Sequence, residues 1–265
     1  MAGVLITYKG TTISNMTDSG QKTLLTAGKY CEANIGVDYT APSSDISPVK
    51  DGKTRLYLSI PSDCDLSKLT IPLYWNQDTA NGVSVDWGDG STTFTVSGTG
   101  DVSAPTPHTY PDYGNYIITM TRVGSTTIKL GNGDSGTGVL GDNGTSRSVL
   151  TGFETGDGVT TLSTNCCLRY TGLTTVIFGS DITKIWNASF NYCYGIGSFH
   201  WLGPNLPANG DFSGSSIWLN VPAWCKIYVP PAYIDGQGNP QNIPSRMPST
   251  STYTYAEEPN AYPAS

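Results

Sequence analysis

The chain has 265 residues, a net charge of −7 at neutral pH and a pI near 4.6. That balance argues against the basic face needed to displace counterions from nucleic acid and disfavours docking on an anionic bilayer. Charged residues make up only 13%, with Gly 31 and Pro 17, so long Glu/Lys/Leu helices are excluded and a mainly β protein rich in turns is expected. No run approaches ~18 consecutive apolar residues, and no membrane span is expected. The start, MAGVLITYKG, lacks the basic and long apolar regions of a secretory signal. The length allows roughly two domains plus linkers.

Residues 1–41 read as a small β module. Val4 to Tyr8 alternates like a strand, Lys9-Gly10 supplies a turn, and Thr11 to Met16 resumes; Thr23 to Leu25 and Ile35 to Tyr39 read as further short strands. The run Ile6-Thr7-Tyr8-Lys9-Gly10, then Lys22-Thr23-Leu24-Leu25-Thr26-Ala27-Gly28-Lys29-Tyr30-Cys31, then Ile35 and Val37 resembles an N-terminal module of virion proteins from phages that infect gut Firmicutes. The resemblance implies that this part attaches the chain to a particle. Residues 42–53, opening with Ala41-Pro42-Ser43-Ser44 at the boundary, read as a linker.

Residues 54–123 read as a β-sandwich. Arg55 to Ile60 and Leu69 to Trp75 alternate as strands, and Val83 to Trp87 leads into the turn Gly88-Asp89-Gly90-Ser91. His108-Thr109-Tyr110 and Gly114-Asn115-Tyr116 follow. The set Asp86, Trp87, Gly88, Asp89, Gly90, His108, Tyr110, Gly114 and Tyr116 closely resembles the signature of the polycystic-kidney-disease (PKD) domain, an immunoglobulin-like sandwich. It implies a spacer or adhesive module rather than a catalyst. Asp89-Gly90 is expected to make the turn and Trp87 to fill the core, in preference to a calcium site at Asp86 and Asp89. Residues 124–148, rich in Gly, Asp, Asn and Ser, read as a connector. The run at 131–144 has the composition of a calcium loop but neither the EF-hand pattern nor a clean nonapeptide repeat, and no metal or cofactor is expected.

Residues 149–234 carry the strongest periodicity. Val159, Leu162, Leu173 and Val176 recur at one fixed offset as Ile182, Ile185, Ile196 and Phe199, and Leu150 and Phe153 stand one period before Leu173 and Val176. A fixed period of this size marks a repeat whose turns stack to bury one continuous core. The turn from Ile182 and Ile185 through Ser189-Phe190 and Cys193 to Ile196 and Phe199 resembles the BspA-like leucine-rich repeat, and Cys225 to Pro230 resembles the closing strand of such arrays. Cys166-Cys167 departs from the family's Ala-Phe pair, and 203–220 reads as an insertion. The expected architecture is therefore a small N-terminal β module, a PKD/Ig-like sandwich and a short leucine-rich-repeat β-solenoid. Residues 235–265 read as an extended tail, disordered in isolation, whose Tyr253, Tyr255 and Tyr262 are expected against a neighbouring subunit.

No catalytic constellation emerges. The two histidines, His108 and His200, lack a nucleophile elbow, and His200 is expected to project from the repeat surface between Phe199 and Trp201. Cys31, Cys64, Cys166, Cys167, Cys193 and Cys225 show no zinc-type spacing and are expected to be reduced, as in cytosolic assembly. Aromatics on a rigid face suit protein or sugar contacts, and Tyr192, Tyr194 and Trp201 are the candidate binding residues. Trp186, Trp218 and Trp224 fit core or cap positions as well. The expected protein is a non-enzymatic, homo-oligomeric phage structural protein, a tail fibre, baseplate or decoration component located in the virion after assembly in the host cytoplasm. Its expected partners are other virion proteins and a host cell-surface or mucosal glycan or protein. A bacterial cell-surface adhesin of the same modules is the alternative.

Overall fold

Two antiparallel strands, β1 (Val4–Tyr8) and β2 (Thr11–Met16), form the described part of an N-terminal unit, Met1–Ser44. They match the first expected hairpin. The turn at Lys9-Gly10 and the strands expected at Thr23 to Leu25 and Ile35 to Tyr39 lie outside the described residues. The computed structural model describes residues 46–67, 69–132, 136–142, 144–214 and 216–263, together with the backbone of β1 and β2.

The second unit, Asp45–Ser265, is mainly β and holds two sheets among its described residues. β3 (Thr54–Ile60) alternates so that Leu56, Leu58 and Ile60 enter the core. The remaining strands before the repeats are β4 (Tyr74–Gln77), β5 (Val83–Asp86), β6 (Phe94–Thr95), β7 (Gly100–Ser103) and β8 (Gly114–Arg122). β8 runs antiparallel to β3 from Thr54↔Met120 to Ile60↔Gly114 and carries β5 and β6 beyond it. β4 pairs with β7 in the other sheet. Trp75, Val85, Ile118 and Met120 fill the shared core of this half.

The expected connector is itself structured. Ile128-Lys129-Leu130 forms β9, buried at its first and last residues, and a short helix α1 (Gly144–Val149) follows. β9 pairs antiparallel with β4 on one side and parallel with β11 (Val159–Leu162) on the other. β10 (Leu150–Glu154) makes the same transition in the larger sheet, antiparallel to β3 and parallel to β12 (Thr175–Phe178). Both sheets thus change from antiparallel to parallel at neighbouring strands, and the two halves share them.

The parallel part explains the periodicity. Gly152 pairs with Thr175, and Thr175 with Ser198 of β14 (Ser198–Trp201), while Leu162 pairs with Ile185 of β13 (Lys184–Ile185). Each step equals the offset seen in the sequence. Side chains follow it too: the Thr174 hydroxyl donates to the Thr151 carbonyl and the Thr183 hydroxyl to that of Thr160, each across 23 residues. Identical slots therefore stack, and Phe153, Val176 and Phe199 form one buried row. Close stacking demands small residues where coils touch. A Cβ on Gly172 would collide with the Ser148 carbonyl, and one on Gly195, in the same slot of the next coil, would meet the Thr171 carbonyl at 2.8 Å.

The steps then lengthen. Ser198 pairs with Lys226 of β15 (Lys226–Val229), and Lys226 with Thr254 of β16 (Thr254–Glu257). The Trp218 indole N–H crosses the same longer step, 28 residues, to reach the Arg246 carbonyl. The segment read as an extended tail, disordered in isolation, supplies the last strand of the nine-stranded sheet. Its tyrosines bind their own chain: the Tyr253 hydroxyl donates to the Val221 carbonyl, the Tyr255 hydroxyl to that of Pro248, and the Tyr262 N–H to that of Leu202. The buried Tyr255 ring, with Tyr253 half-buried beside it, packs the segment onto the core. Among the described residues no helix is long and apolar enough to cross a membrane.

Candidate functional site

The signature residues of the first half converge. Asp86 ends β5 and accepts the Gly88 N–H at 2.8 Å; Asp89 accepts that of Ser91 at 3.0 Å. Gly88 (φ +77°) and Gly90 (φ +83°) take left-handed conformations, and a Cβ on Gly88 would strike the Ile117 carbonyl. The turn delivers Asp89 Oδ2 to 2.7 Å from His108 Nε2. His108 is held on several sides: its backbone pairs with Ile71, its ring stacks on Trp87 (4.5 Å, 10°), and Tyr110 meets it edge-on at 4.8 Å. The Tyr110 hydroxyl donates to the Trp87 carbonyl, and Tyr116, two residues after Gly114, packs on Tyr110 at 4.3 Å. Asp89 thus uses one oxygen on the turn and the other on His108.

Burial acts to raise the Asp89 pKa, but the hydroxyl and N–H of Ser91 and the His108 ring outweigh it and hold the carboxyl below its ordinary 3.8. A carboxyl with a depressed folded pKa contributes stability that is complete above its unfolded pKa and is lost as pH falls through the folded value. Asp89→Asn is therefore expected to melt lower than wild type at neutral pH, with the gap closing below about pH 4. Melting curves across an acid series check this; a gap independent of pH would contradict it.

The second histidine corrects an expectation. His200 is 7% exposed, not projecting, and its Nδ1 stands 2.7 Å from Glu258 Oε2. Its ring stacks on Tyr228 at 4.5 Å and 10°, the same arrangement as His108 on Trp87. Glu258 also accepts the Asn260 N–H. The pair fastens the segment after β16 to β14. Nothing near either residue in the sequence signals the partner, which lies 58 positions away.

A third buried acid was not singled out by sequence reasoning. Glu154 accepts the N–H groups of Val49 and Lys50 and the Tyr57 hydroxyl, with Arg55 at 3.8 Å. It ties the residues before β3 to the end of β10. Burial, reinforced by Glu154, pushes the Tyr57 phenol up to about 12. Arg55 in turn grips Asp51 through both carboxylate oxygens and lowers that carboxyl to about 2.

The candidate binding aromatics separate. Tyr194 is 52% exposed and Tyr192 half-buried, their rings 5.9 Å apart and the Arg169 guanidinium 5.3 Å over Tyr192. Trp201 does not join them. It is 1% exposed, in the core against Phe178 (4.4 Å), because β14 is buried on both faces. Trp186 is partly exposed beneath Lys184, and Trp218 packs on Phe190.

The described cysteines, Cys64, Cys166, Cys167, Cys193 and Cys225, are free thiols, and all but Cys64 are buried. Burial pushes the Cys193 thiol up to about 12, well away from the thiolate that reacts or binds metal. Cys31 lies outside the described residues, as does part of the Gly/Asp run at 131–144. Among the described residues no three His, Cys, Asp or Glu side chains are grouped to hold a metal ion. Comparison of the chain with protein-family models, curated proteins and solved structures returns no match.

Proposed function

We propose that this chain is a non-enzymatic structural component of a phage particle, attached by residues 1–41. Residues 45–265 then present a PKD-like sandwich fused to a short BspA-like leucine-rich repeat, for assembly or for adhesion to a host surface. The observation that carries this reading is the sharing of both sheets by the two motif-bearing halves. Such a unit resists bending between its parts, as a display element on a particle requires. Further support comes from the polar side chains. His108, His200, Asp89, Glu154 and Glu258 are all engaged in fastening one segment to another. Repetition around a particle's symmetry axis makes the chain a homo-oligomer in this reading.

Quantitative mass spectrometry of gradient-purified particles, beside the envelope fraction of the producing cells, tests it. Enrichment in particles at a fixed ratio to the major structural proteins is expected. Enrichment in the envelope with particles devoid of the chain would favour a cell-surface adhesin of the same modules and end the phage reading.

A further inference from the structure

Between the segments that lead into β15 and β16 lies a shallow groove of about 370 Å³, whose walls include Trp218, Leu219, Ser245, Arg246, Ser249 and Tyr253. Its frame is fixed by hydrogen bonds. The Trp218 indole N–H donates to the Arg246 carbonyl at 2.9 Å, Asn209 Oδ1 accepts the Arg246 N–H and the Ser245 hydroxyl, and the Tyr253 hydroxyl is tied to Val221. Trp218 is anchored from behind by a stack on Phe190 at 5.5 Å.

The charge of the groove runs against that of the chain. Asp and Glu outnumber Lys and Arg by 21 to 14, yet among the described residues no acid lines it and Arg246 is its one cation. Arg246 is exposed, and among the described residues no carboxylate stands within ion-pair distance of its guanidinium. Arg55 and Arg147, by contrast, each hold an aspartate. An unpaired guanidinium is a fork of donors shaped for a carboxylate. Beside it stand two aromatic rings, which suit the apolar face of a sugar, and the hydroxyls of Ser245 and Ser249, bonded to Asn209 and Ser251 but each able to accept once more from a sugar hydroxyl. The exposed Leu219 at the rim accepts the Tyr192 N–H through its carbonyl, so the surface continues to Tyr192 and Tyr194.

We propose that this groove binds an acidic saccharide, with the sugar carboxylate on Arg246 and the ring against Trp218 and Tyr253. The site deepens the adhesive part of the proposed function and rests on it. An acidic peptide would offer the same charge without the ring, and so serves as the competing ligand in the test.

Isothermal titration of the full chain with sialyllactose, with lactose and with a tetra-aspartate peptide decides the matter. Sialyllactose is expected to bind about tenfold or more tighter than lactose, the size of one charge-assisted hydrogen-bonded contact, and tighter than the peptide. Arg246→Gln removes that preference. Lys129→Gln, which removes an exposed cation in the middle of β9 in the other sheet, keeps it, and both variants melt as wild type does. Equal binding of the two sugars, no binding of either, a peptide bound as tightly as sialyllactose, or equal loss in the two variants would overturn the site. The titration uses isolated protein, so a chain found in particles that ignores acidic sugars loses this site and keeps its place in the particle.

Discussion

Trp201→Ala is expected to destabilise the Asp45–Ser265 unit by about 3–5 kcal/mol, the usual cost of emptying a large aromatic site in a packed core. The indole is 1% exposed, 4.4 Å from Phe178, 6.1 Å from Phe199 and 6.2 Å from Trp218. Phe153, Phe190 and Phe199 continue the same cluster across successive coils. The collapse of one coil into the cavity is opposed by the fixed spacing of the strands on either side, so little of the loss is recovered. Among the described residues the indole N–H has no hydrogen-bond partner. The cost is therefore one of packing, and Trp201→Phe retains most of the stability. Tyr194→Ala, at a half-exposed ring, changes stability by no more than about 0.5 kcal/mol. Urea unfolding of the three variants separates these cases. A Trp201→Ala protein as stable as wild type would return Trp201 to the surface.

His200→Leu carries the second large effect, about 3–5 kcal/mol at neutral pH. Glu258 is 1% exposed, and its Oε2 lies 2.7 Å from His200 Nδ1. Removing the ring leaves a buried carboxyl group that, among the described residues, holds the Asn260 N–H alone. The opposite ring nitrogen, Nε2, has no partner to lose among the described residues. Replacing both members, His200→Leu with Glu258→Leu, is expected to recover much of the loss, since no unpaired charge then remains. Additive losses in the double variant, measured by urea unfolding, would show that the pair does not act as a unit.

These two residues also show where sequence pattern stops informing. The recurrence in the repeats was legible because it is the pairing register itself: Val176 lies beside Phe153 and Phe199 beside Val176. The turn at Asp86 to Ser91 was legible because its glycines, acids and aromatics are all needed within one short stretch. β14 offered no alternation to read, since Ser198, Phe199, His200 and Trp201 are all buried. One face of the sheet is the core, and the other is covered by segments remote in sequence. Ile46 reaches to within close contact of Gly152, Val49 and Lys50 bind Glu154, and Glu258 binds His200. A single sequence carries no signature of such long-range cover. The tail escaped because its step is longer than that of the earlier coils, so Tyr255 falls in the buried row after Ile227 without repeating their spacing. β9 was obscured by its surroundings, three alternating residues among glycines and turn formers.

The candidate site was less legible than the fold. Tyr192 and Tyr194 could be placed on the surface from their slots in the repeat, whereas Arg246 lies in a Pro/Ser-rich stretch without periodicity. Only the return of the chain through β16 sets it beside Trp218 and Leu219.

Whether the chain belongs to a particle is decided by immunogold electron microscopy, with antibody to this chain, on induced particles and on the cells that produce them. A particle component places gold at one fixed position, on head, tail or tip, in particle after particle. Gold on the cell envelope, with bare particles beside it, would rule out a place in the particle.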